Sequence, residues 1–150
     1  MIKLDAATVL LQWATGGLFF LWFTTRSHEI GRGYGWLIRG SYAAIAVGAV
    51  ASAYAIGWVP VRDISSVIVA VIALGTVRRK DVRWDIVGPL VGLVGVVAGA
   101  LDAADGSADT VVSLLRVVVG TFFLGAVSDA MLLGHWYLVQ PGLPRRILNE

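Results

Sequence analysis

Four polar side chains sit inside otherwise apolar stretches of this chain: Gln12, Arg39, Arg116 and Asp129. A charge in hydrocarbon is costly, so such residues line a path, pair with one another, or carry their charge out to the headgroups. Asp129 is the most constrained of them, because a short carboxylate cannot reach water as a long Arg stem can. Asp129 lies four residues from the end of its apolar run, and Arg39 three residues from the start of its own. That places both near one membrane face and predicts an ion pair between them. Gln12 and Arg116 each lie at about the seventh position from the opposite face, which predicts a weaker contact there.

The two histidines allow a second chemistry. A b-type haem takes two imidazoles at matching depth, and a quinone site uses a His or Asp under an aromatic ring. His28 and His135, with Trp136 and Tyr137, bring those residue types near one face. The competing reading is an interfacial belt, in which amphipathic rings settle at headgroup level. It is the stronger one, because His28 falls in a polar connector while haem ligands usually project from helices. Haem b and quinone remain the cofactor candidates.

Other patterns fail on spacing. Gly31, Gly33 and Gly35 do not make G-x-G-x-x-G and follow no strand, so they predict a turn between helices and not a nucleotide site. Ser128, Asp129 and His135 have the residue types of a hydrolase triad, yet seven residues of helix hold Ser128 and His135 about 10 Å apart. Asp102, Asp105 and Asp109 depart from the calcium-loop pattern and read as a solvated acidic loop. With no Cys, thiolate chemistry and thiol-based metal sites are excluded. No set of residues commits the chain to catalysis.

The elements that position these residues are five apolar runs: 6–23, 36–57, 64–77, 86–104 and 110–133. Crossing a hydrocarbon core takes roughly 20 helical residues, and lipid forbids unpaired backbone groups, so the runs predict helices. At 57% hydrophobic and 15% charged, with a mean hydropathy of +0.78, little is left for a soluble core. The fold class is an all-α polytopic bundle forming one transmembrane domain. The first run lacks a small-residue cleavage pattern and is expected to remain as a spanning helix.

Basic residues set the orientation. Arg26, Arg32, Arg39, Arg78, Arg79, Lys80, Arg83, Arg145 and Arg146 share one side, against Lys3 and Arg62 on the other. The positive-inside rule then places the N-terminus out and the C-terminus in, in a plasma membrane of prokaryotic cytoplasmic type. The 14-residue third run covers only about 21 Å. If it does not cross, a four-pass arrangement with the N-terminus inside results. The net charge of +2 follows from this topology and argues for no nucleic-acid partner.

Packing signals are plainer than chemical ones. Gly88, Gly92, Gly95 and Gly99 recur on one helical face, a seam that lets another backbone come close. Gly40, Ala44, Gly48, Ala51 and Ala55 form a similar stripe, so the two faces are expected to meet, or one to receive a helix from another subunit. Gly17-Leu-Phe-Phe-Leu is echoed by Gly120-Thr-Phe-Phe-Leu, which is too short to establish a repeat. Three functions are compatible with these residues. First is a non-catalytic membrane subunit or anchor with other membrane subunits and the bilayer as partners. Second is a small transporter or ion pathway using Arg116 and Asp129. Third is a haem- or quinone-binding redox subunit using His28 and His135.

Overall fold

A computed structural model describes residues 4–26, 32–77, 82–104 and 110–139. They form five α-helices, α1 (Ala6–Thr25), α2 (Arg32–Ile56), α3 (Pro60–Thr76), α4 (Val87–Asp102) and α5 (Thr110–Val139), with a 3-10 turn at Val82–Ile86 leading into α4. No strand occurs among the described residues. Four helical segments are long and apolar enough to cross a membrane: α1, α2 from Gly33, the turn and α4 from Trp84, and α5. At 17 residues α3 is shorter, about 25 Å by helical rise.

Local chemistry sets the helix starts. Asp5 caps α1, its Oδ1 accepting the Thr8 N–H at 2.8 Å. Pro60 opens α3 with its φ preset for a helix. Gly57, at φ 144°, makes the turn from α2 into α3, a conformation that side chains rarely adopt. Two of the three glycines expected to form a turn before the second run are helical instead: Gly33 and Gly35 lie within α2, which begins at Arg32, while Gly31 lies outside the described residues. The fifth helix likewise runs past its expected end at 133, so His135, Trp136 and Tyr137 are helical.

α1 is the hub. It packs against α2, α4 and α5, and the outer helices touch in chain order, α2 on α3, α3 on α4 and α4 on α5. Its small residues make room for this, with Ala7, Ala14, Thr15, Gly16 and Gly17 all buried. The glycine face of α4 follows α1 and α3 step by step. A Cβ on Gly99 would meet Thr8 Oγ1 at 2.6 Å and Arg62 Cδ at 3.0 Å, and one on Gly95 would meet Ser65 Cβ at 2.5 Å and Leu11 Cδ2 at 2.8 Å. Gly92 lies against Thr15, and Gly88 faces Ile72 and Leu18 at ordinary contact distance. Thr8 and Arg62 flank Gly99, Leu11 and Ser65 flank Gly95, and Leu18 and Ile72 flank Gly88, so α3 runs level with α1 along the α4 seam and in the same direction. The seam is thus used, but not as expected: it meets α1 and α3, while α2 turns Ala44, Ala51 and Ala55 outward. α1 and α5 come closest at Gly16 and Gly125, where each glycine abuts the other helix's backbone.

Candidate functional site

Three buried polar centres lie within this bundle. At the Asp5 end, Arg62 is 1% exposed and spends its donors on four acceptor atoms of three residues. Nε donates to Asp63 Oδ1 at 2.6 Å, Nη2 to the Gly57 carbonyl at 2.8 Å and to Asp63 Oδ2 at 3.1 Å, and Nη1 to Asp5 Oδ2. Asp63 Oδ2 also accepts the Val59 N–H at 2.7 Å. This network ties the start of α1 to the α2–α3 turn. Burial pushes the Asp5 carboxyl up, but the Thr8 hydrogen bonds and the Arg62 charge outweigh it and hold Asp5 below the ordinary carboxylate range. All its members are engaged, so its role is structural.

The second centre is at the other end. Arg39 pairs with Asp85, which the 3-10 turn carries inward, and both are buried. Gly35 leaves the space into which the Arg39 guanidinium folds. Asp85 Oδ1 has no hydrogen-bond partner. The expected Arg39–Asp129 pair is therefore not formed. In the sequence Asp85 sits in the charged stretch Lys80-Asp81-Val82-Arg83-Trp84-Asp85, which reads as a connector and gives no sign of a buried partner for Arg39.

The third centre surrounds Asp129. Its Oδ1 accepts the Tyr34 hydroxyl at 3.1 Å, and the Thr24 hydroxyl, which donates to the Leu21 carbonyl at 3.1 Å, lies close to the carboxylate. Tyr34, Tyr42 and Asp129 are each 2% exposed or less. The Tyr42 ring lies over Gly17, where a Cβ would collide with it, and its hydroxyl has no partner. Trp136 meets Tyr34 edge to face at 5.6 Å, and its indole N–H is also unpartnered. Tyr34 and Tyr42 are eight residues apart on one face of α2. That spacing was available in the sequence, but a helix expected to begin at Trp36 leaves Tyr34 in a loop.

The remaining candidates are dispersed. Gln12 is buried, and its amide donates to the Val117 carbonyl at 2.7 Å instead of contacting the Arg116 side chain. Arg116 is exposed on the outer face of α5. Arg116 and Asp129 are 13 residues apart, about 20 Å along α5, and face different ways, so they line no common path. His135 also faces outward, while Trp136 and Tyr137 are half-buried. His28 lies outside the described residues, and so does any His28–His135 arrangement. Ser128 accepts the Trp13 indole N–H at 2.8 Å and has no link to His135. No cluster of His, Asp and Glu able to hold a metal occurs among the described residues. An open groove of about 240 Å³ between Ile72, Gly75, Thr76, Trp84 and Val87 has apolar walls save for Thr76, which suits an acyl chain better than a reacting group.

The class defined by these features is an all-helical bundle with four helices long and apolar enough to cross a membrane and with charged and hydroxyl groups enclosed among them. No protein-family model, curated protein or solved structure matches the chain.

Proposed function

We propose that this chain is a five-pass integral protein of a prokaryotic-type plasma membrane, N-terminus out and C-terminus in, acting as a non-catalytic subunit or anchor of a larger membrane complex. Support for five passes is the side-by-side course of α3 and α1, from Arg62 level with Thr8 to Ile72 level with Leu18. Two ends then result, one bearing the Asp5–Arg62 network and the other Arg39, Asp85 and the basic connectors. The positive-inside rule puts the second end in the cytoplasm.

The observation that carries the subunit reading is the small-residue stripe on α2. Gly40, Ala44, Gly48, Ala51 and Ala55 share a face, Ala44, Ala51 and Ala55 are exposed, and a Cβ at Gly40 would touch nothing within 4 Å. Lipid gives helices little hydrophobic reason to associate, so close backbone approach at small residues is the main source of affinity. The contacts of α4 with α1 and α3, and of α1 with α5, already use such residues. Gly48 at the edge of the stripe borders Leu10 of α1, but Ala44, Ala51 and Ala55 are left uncovered among the described residues, and a helix from another subunit fits the same chemistry. Arg116, exposed on α5, is a second outward group that a partner chain would satisfy.

Ala44→Leu and Ala51→Leu test the reading, because they leave this chain's own core untouched. Native gel electrophoresis in mild detergent should show the parent in a larger assembly and both variants reduced to the free chain, with unchanged helicity. An assembly of unaltered size in both variants would overturn the proposal. Of the other readings, a transport path through Arg116 and Asp129 is weakened by their separation, and a redox role through His135 by its outward direction.

A further inference from the structure

Three carboxylates among the described residues are buried: Asp63, Asp85 and Asp129. Asp63 and Asp85 each bond an arginine. Asp129 bonds none among the described residues, although leaving an intramembrane carboxylate charged and unpaired is among the costliest arrangements a bundle can hold. Among the described residues, the groups that face it are neutral. From α1 comes the Thr24 hydroxyl, while Arg26 at the helix end lies over the Phe23 and Trp22 rings. From α2 come Tyr34 and Tyr42, and the nearby Arg39 is already held by Asp85. On α5 itself, Ser128 accepts from Trp13, His135 turns outward and Trp136 lies against Tyr34.

Donors and acceptors here are unbalanced. Tyr34 already donates to Oδ1. The hydroxyl of Tyr42, on the same face of α2, is buried and makes no hydrogen bond. An ionised carboxylate only accepts, whereas a protonated one carries an O–H donor. One added proton therefore removes the lone charge from the interior.

We propose that Asp129 is a proton-binding site of the bundle. A proton from the aqueous phase at the Arg39 end bonds to Oδ2, and the carboxylate becomes a neutral carboxyl. Tyr34 continues to donate to Oδ1. The proton is the only species transferred, and its release restores the carboxylate. Asp129 is thereby a group that exchanges protons between the enclosed bundle and one aqueous side, whether or not the chain assembles with others.

Tyr34 bonds the charged form, so Tyr34→Phe should move protonation of Asp129 to higher pH. The measurement is infrared difference spectroscopy of the full chain in liposomes, stepping pH and following the C=O stretch of a protonated carboxyl. Expected are a band that grows on acidification, is lost in Asp129→Asn and shifts in frequency in Asp129→Glu, and a midpoint that Tyr34→Phe raises. If Asp129→Asn fails to fold, the Glu and Phe variants still decide. Absence of a band sensitive to Asp129 at any pH would overturn the proposal. So would a midpoint that Tyr34→Phe leaves in place or lowers, or one that Na+ but not K+ displaces, since the last identifies a sodium site.

Discussion

Arg39 and Asp85 illustrate how little a buried charge can be judged from its own position. Replacing one partner strands the other in the interior, a loss of about 3–5 kcal/mol, whereas removing both leaves no uncompensated charge. Arg39→Ala should therefore destabilise strongly, and the Arg39→Ala/Asp85→Ala double variant by less than the sum of the two single changes. Thermal unfolding in detergent measures both. Asp129→Asn should add independently to Arg39→Ala, because those residues are not paired; a large coupling would contradict the assignment. Asp5 gives a pH dependence of definite sign. With its folded-state pKa below the ordinary value, its contribution is fully present above about pH 4 and is lost as pH falls through the folded value. Asp5→Asn, which keeps a capping oxygen, should flatten that acid-side loss in a series of Tm against pH.

The helices associate through missing side chains, and the degree of fit differs from glycine to glycine. Gly92 and Gly95 leave no space for a Cβ, so Leu at either should overpack the α1–α4–α3 contact by about 1–3 kcal/mol or more. Gly88 has ordinary contact distances of 3.5 Å or greater, and Gly88→Ala should be nearly neutral. At Gly16 and Gly125 the obstacle is backbone, which cannot rotate away, so Gly16→Ala should be worse than Gly88→Ala despite adding the same methyl. Equal melting temperatures for these two variants would show that the α1–α5 crossing is looser than its geometry. The edge-to-face contact of Phe19 and Phe122, at 5.0 Å, also gives the short sequence echo a physical setting, since equivalent residues of the two segments touch.

For the whole molecule the decisive quantity is where each end of the bundle lies. The chain has no Cys, so single cysteines can be introduced and labelled without removing any. Trp58→Cys, in the α2–α3 turn, should react with a membrane-impermeant maleimide applied from outside, and a cysteine at Glu150 only after the membrane is opened. A Trp58→Cys shielded from outside would reverse the proposed orientation. Arg62, 57 residues from its partner Asp5 in the chain, ties that turn to the start of α1, so Arg62→Ala should lower stability without changing which side it faces.

Hydropathy and length by themselves determined that the chain is helical, where its apolar runs fall and which face of α4 is close-packed, because each of these follows from local composition and from the 3.6-residue period. They also singled out Asp129 as an intramembrane acid. What they could not contain was the choice of neighbour. Arg39 meets Asp85 and not Asp129 because a 3-10 turn bends the chain inward before α4, and the α4 seam meets α1 and α3 because α1 occupies the centre of the bundle. Helix ends moved for a related reason: Tyr34 and Trp136 lie beyond the apolar runs, but packing on each other and on Asp129 supplies the burial that their flanking residues do not. Depth along a helix is legible from sequence, whereas rotation about its axis and lateral order are fixed only when all five helices pack at once.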